Sequence, residues 1–228
     1  MYAKEEELMT RRNFSIVYKF LTILSIIVGV GINLIKTTSI ISMISYYTIQ
    51  SNIICLISFI YFVYLEIRNK TKNDRYYLIK GAITVAILIT GIIYRFALIP
   101  NNFQMDVSNA VTSKNISNIF VHTVSPVMIL LDYILFDEKG HLKISYSLYW
   151  LLIPINYVIY VYIYGSLGGK FYNIGGSERF AYFFLDYVQI GIKKVIAFDF
   201  SMIVFILIIS LLLVYIDKII DKIKKEEP

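Results

Sequence analysis

The chain has 228 residues, of which 57% are hydrophobic and 17% charged, and its formal net charge is +6. Soluble domains sit near about 45–50% apolar and about 25% charged, so the composition excludes an ordinary soluble fold and points to spans of roughly 20 apolar residues each. The basic residues are scattered beside apolar runs rather than gathered in a stripe, so the charge does not point to nucleic acid and none is expected as a partner; one cysteine, Cys55, excludes an internal disulfide and a cysteine-rich metal site.

Residues 1–13 are polar and precede a first span over residues 14–35, with Lys19 near its start. A lysine there is expected to snorkel to the headgroups. The second span covers residues 45–65 and opens on Tyr46-Tyr47-Thr48-Ile49-Gln50-Ser51-Asn52. The third, residues 79–99, contains Arg95 and ends at Pro100. The fourth, residues 116–136, holds His122, Ser125 and Asp132, with Pro126 expected to kink the helix just beyond His122. The fifth, residues 146–164, carries Pro154 and the single tryptophan, Trp150. After a glycine-rich loop, residues 180–190 are aromatic but too short to span, and read as an interfacial or re-entrant piece. The sixth span, residues 195–216, ends in a lysine-rich tail.

The expected fold is therefore all-α, a polytopic membrane protein built as one six-helix transmembrane domain over residues 1–228. Counted over residues 1–13, 67–80, 137–145 and 217–228, 14 lysines and arginines fall on the side of the termini, against 6 on the other. By the positive-inside rule both termini are expected in the cytoplasm, and the expected location is the plasma membrane.

Polar side chains inside lipid are costly unless they meet a partner within the bundle, so they are functional candidates. At about 1.5 Å of rise per residue, Thr48 lies roughly 5 Å and His122 roughly 9 Å below the outer ends of their spans. Arg95 and Asp199 fall toward the same side. Helical spacing puts Thr48, Ser51, Asn52 and Cys55 on one face, and Asn118, His122, Ser125, Ile129 and Asp132 on another. Asp132 is too deep to orient His122, and reads as a packing hydrogen bond or the wall of an inner vestibule. The chemistry this cluster suits is acyl transfer. A threonine hydroxyl becomes a nucleophile when an adjacent base takes its proton, and histidine titrates in the useful range. Gln50, Asn52 or Arg95 are candidate oxyanion donors, Ser51 and Ser125 candidate supporting groups, and Asp186 or Asp199 candidate orienters of the imidazole. The competing reading is that Thr48 and His122 only hold helices together and Arg95 only anchors at the headgroups. His141, alone in a loop, is expected to be solvated, and no metal-ligand spacing is present.

Three stretches carry a resemblance to a known family: Tyr46 to Asn52, His122-Thr123-Val124-Ser125-Pro126 through Asp132 to Phe136, and Tyr182-Phe183-Phe184-Leu185-Asp186 through Gly191. In their order among six spans they resemble the androgen-induced membrane hydrolase family, whose bacterial branch is known as Pr6Pr. The resemblance implies a multi-pass hydrolase of fatty acid esters of hydroxy fatty acids, with the nucleophile at Thr48 and the histidine at His122. It implies no cofactor and no metal, and as partners only membrane lipids and a lipid ester entering from the outer leaflet. The rival expectations are a transporter, with Arg95, His122 and Asp132 lining a path, and a non-enzymatic lipid-binding scaffold.

Overall fold

A computed structural model describes residues 2–98, 116–171 and 178–226, and among them the chain is helical with no strand. Six helices are long and apolar enough to cross a membrane. They are α1 (Tyr2–Lys36), α2 (Tyr47–Ile67), α3 (Asp74–Leu98), α4 (Ile116–Phe136), α5 (Tyr146–Ser166) and α6 (Ile192–Glu226). Each matches an expected span, but α1 and α6 run well beyond theirs as polar extensions. Helix α3 starts early because Asn73 caps it, its side chain accepting the Tyr76 N–H at 3.1 Å.

Helices α1, α2, α3 and α4 form the packed centre, around Ile26, Ile49, Cys55, Phe59, Ile87, Val121 and Ile129, all fully buried. Cys55 sits there as the small buried side chain its apolar context predicts. Trp150 of α5 inserts against Gly81 of α3, where any side chain would collide with the indole ring. Its indole N–H then donates to the Leu78 carbonyl at 2.9 Å. Helix α6 buries little beyond Val195, Ile206, Ser210, Leu213, Val214 and Asp217, so most of its apolar surface faces outward, as lipid contact requires.

Two polar layers divide the bundle. At the end where α1 enters and α6 leaves, the polar layer is ionic. Lys19 is fully buried and pairs with Glu66 and Asp132, each at 3.0 Å. Lys80 pairs with Asp132 and, at 3.3 Å, with Asp137; Lys72 pairs with Asp137 at 2.8 Å and Glu66 at 3.4 Å. Three ammonium groups thus balance three carboxylates. Lys19 does not snorkel, because carboxylates from α2 and α4 meet it inside the bundle at lower cost than bending the chain to water. Asp132 is an ion-pair partner, neither a neutral packing group nor a vestibule wall. Burial alone would raise the Asp137 carboxyl, but Lys80, then Lys72 and Lys19, hold it below the ordinary carboxylate range. Nearby, Asp217 accepts from the Tyr133 hydroxyl at 2.6 Å and the Leu142 N–H at 2.9 Å, pinning α6 and the α4–α5 loop together. His141 is not merely solvated: its ring stacks on Tyr77 at 4.3 Å.

Removing one partner from a buried ion pair leaves an uncompensated charge and costs about 3–5 kcal/mol, whereas replacing the pair by apolar groups is often neutral. Asp132→Ala is therefore expected to lower the thermal midpoint in detergent sharply, and Asp132→Leu combined with Lys80→Met to lower it less. A double variant as damaged as the single one would contradict this assignment.

Candidate functional site

The other polar layer, at the opposite end, is built from uncharged groups on α2, α3 and α4. Thr48 stands on the first turn of α2, buried at 2% exposure. The residue before that helix, Tyr46, offers no side-chain cap, so the first N–H groups of α2 need outside acceptors. The Tyr182 hydroxyl supplies one, meeting the backbone N–H groups of Tyr47 and Thr48 and also the Thr48 and Tyr157 hydroxyls. The Tyr157 hydroxyl also lies 3.3 Å from the Ser45 carbonyl, an alternative acceptor for its proton, and the Tyr182 oxygen accepts the Thr48 proton. Tyr182 belongs to the aromatic piece expected to be interfacial or re-entrant. Residues 180–186 do turn back into the bundle, with Ala181 and Leu185 buried and Tyr182 set edge-on to Tyr46 at 6.1 Å.

His122 lies on a π-helical turn, Phe120–Val124. Pro126 explains it. A proline at 126 has no N–H to give the His122 carbonyl, and the ladder steps instead to a wider bond from the Ser125 N–H to the Phe120 carbonyl. The proline is accommodated by a π turn, of the kind that often marks functional sites. The freed His122 carbonyl packs on Gly91 of α3, where an added Cβ would stand 2.7 Å from it. Helix α3 has its own π turn at Tyr94–Leu98, and the Tyr94 ring stacks on the imidazole at 3.8 Å. His122 Nδ1 faces the Thr90 carbonyl at 3.3 Å; a carbonyl cannot donate, so Nδ1 carries the proton and Nε2 the lone pair. Nε2 is buried with no hydrogen-bond partner.

Asn52 joins the two candidate residues' backbones: its amide nitrogen donates to the Thr48 carbonyl at 2.8 Å and the Val121 carbonyl at 3.2 Å. Ser51 meets the Thr90 hydroxyl at 2.9 Å. Contacts through Asn52, Ser51 and Thr90 connect the Thr48 turn to the His122 turn, and the two side chains do not hydrogen-bond to each other.

The remaining expected residues separate. Ser125 pairs with Ser25 of α1 at 3.3 Å. Gln50 is half-buried and Arg95 exposed. Asp186 is buried and caps Tyr187–Ile190, accepting the N–H groups of Val188 and Gln189, each at 3.0 Å. The Thr90 carbonyl, rather than Asp186 or Asp199, orients the imidazole. Asp199 instead lines a cavity of about 210 Å³ between α2, α3, α5 and α6. Thr48, Thr90, Tyr157 and Tyr182 also face this cavity, whose wall is otherwise almost wholly apolar; His122 is not part of the wall and touches it through the Thr90 carbonyl. Among the described residues no group of three or more His, Cys, Asp or Glu side chains is placed to hold a metal ion.

No family model matches the sequence, and neither does any curated protein or solved structure.

The Gly91–His122 approach sets the spacing of α3 and α4. Overpacking costs about 1–3 kcal/mol, so Gly91→Val is expected to lower the thermal midpoint and to perturb the His122 ring resonances in an NMR spectrum of imidazole-labelled protein. Unshifted resonances in the folded variant would show that this contact does not position His122.

Proposed function

We propose that the protein is an intramembrane hydrolase of lipid esters, with Thr48 as nucleophile and His122 as general base. The observation that carries this reading is a buried threonine hydroxyl opening onto an otherwise apolar cavity at lipid depth. The His122 tautomer supports it, since the nitrogen left free is the one with a lone pair. The resemblance to the androgen-induced membrane hydrolases, through the stretches around Thr48, His122 and Tyr182, points the same way. Sites that enclose a drug-sized ligand measure about 300–1,000 Å³, so a cavity of about 210 Å³ would hold the ester and a few methylenes. The rest of the chain would lie between helices.

In the reaction, the Thr48 oxygen attacks the ester carbonyl while His122 Nε2 takes its proton. The tetrahedral intermediate collapses, His122 returns the proton to the departing alkoxide, and an acyl-threonine remains. Water, deprotonated by the same nitrogen, then releases the fatty acid. This sequence requires the Thr48 proton to leave Tyr182 and the imidazole to move past Thr90 when the ester enters. The N–H groups of Tyr47 and Thr48, now turned toward the Tyr182 oxygen, are the donors we assign to the oxyanion. Asn52 is engaged elsewhere and Arg95 faces outward.

The basic excess beside the termini supports cytoplasmic termini by the positive-inside rule; in a plasma-membrane protein of that orientation Thr48 and His122 would lie toward the outer leaflet, from which the lipid would enter. The fully paired ionic layer at the other end favours an enzyme over a transporter, because it leaves Asp132 no role in a continuing polar path.

A fluorophosphonate probe tests the reading on purified protein. Labelling is expected in the wild type, to vanish in Thr48→Ala, and to fall about 10²–10⁴-fold in His122→Ala, the range for loss of a general base. Undiminished labelling of folded Thr48→Ala would remove Thr48 as nucleophile.

A further inference from the structure

Among the described residues that line the cavity, Asp199 is the only charged one. It sits two turns into α6, half-buried, and no described basic side chain forms an ion pair with it. Thr48 and Asp199 face the same small volume, so whatever ester reaches Thr48 also presents part of itself to a carboxylate. An intramembrane carboxylate without a cation is costly, and that cost is relieved by a ligand that donates to it. A second carboxylate brought into the same apolar enclosure meets repulsion that the low dielectric strengthens.

We propose that Asp199 is a selectivity residue that restricts the cavity to neutral lipid esters bearing a free hydroxyl, of the monoacylglycerol kind, and rejects lipids that place a carboxylate there. The inference rests on the lipid-ester reading and departs from the resemblance in the class of ester, because fatty acid esters of hydroxy fatty acids carry a free carboxylate that this enclosure would exclude. It also accounts for product release: hydrolysis turns a neutral ester into a fatty acid whose new carboxylate is formed at Thr48, inside the enclosure Asp199 shares. The hydroxyl of the intact ester accepts no such penalty, because it hydrogen-bonds to the carboxylate that repels the product.

The test is a competition in phosphatidylcholine nanodiscs at neutral pH, against a diazirine-bearing monoacylglycerol photolabel mapped to its site of attachment. Monoolein and oleyl hemisuccinate have matched chains and differ in a hydroxyl against a carboxylate. In the wild type, monoolein is expected to displace the label at tenfold or more lower concentration than the hemisuccinate. In Asp199→Asn, which keeps the side chain's shape, that ratio is expected to fall at least fivefold because the hemisuccinate gains. Asp199→Glu is expected to retain the preference. A ratio unchanged by Asp199→Asn, a wild-type preference for the hemisuccinate, or photolabelling confined to outward-facing residues would each overturn the proposal. Release of oleate from monoolein is measured in parallel. Charge-selective displacement without oleate release would retain Asp199 as a selectivity residue while removing the hydrolase reading.

Discussion

Five buried charges, Lys19 and Lys80 with Glu66, Asp132 and Asp137, joined by the partly exposed Lys72, fix how this bundle is assembled. Lipid provides no hydrophobic drive between helices, so association depends on packing and on polar contacts that cannot be satisfied elsewhere. Each of these charges is expensive alone and acceptable only with its partners in place. The network therefore specifies one arrangement of α1, α2, α3 and α4. Asp137 and Asp217 extend that control to the α4–α5 loop and to α6.

With one end locked, the other is free to be uncharged. There α2, α3 and α4 meet through Asn52, Ser51, Thr90 and Asn118 rather than through ions. Neutral contacts of this kind are worth only about 0.6–2 kcal/mol each in membranes, so they can rearrange at a cost a bound lipid can offset. The two π turns lie in this layer, and they bring Tyr94 and His122 face to face. The site proposed for ester hydrolysis lies at this weaker end, where both Thr48 and His122 are.

Much of this was legible in the sequence. Apolar runs of the right length gave six spans, and 3.6-residue spacing put Thr48, Ser51 and Asn52 on one buried face. The ionic network was not legible, because pairing of Lys19 with Asp132 depends on which helices become neighbours. Lys80 was hidden for the same reason, reading as loop charge when it lies a full turn and more inside α3. The π turn at His122 had a local signal in Pro126, but a proline alone does not specify a π turn. The Tyr182–Thr48 contact joins residues more than 130 positions apart, and only the fold-back of residues 180–186 creates it. Asp199 was visible as an intramembrane carboxylate, but the cavity it lines rather than His122 defines its surroundings.

The central claim is that Thr48 becomes acylated. The most direct measurement is tandem mass spectrometry of the protein acid-quenched during turnover of p-nitrophenyl octanoate. The account predicts an octanoyl group on Thr48, transient in the wild type and carried on no other residue. Sustained turnover with Thr48 unmodified, or with the octanoyl group mapped to a different side chain, would contradict it.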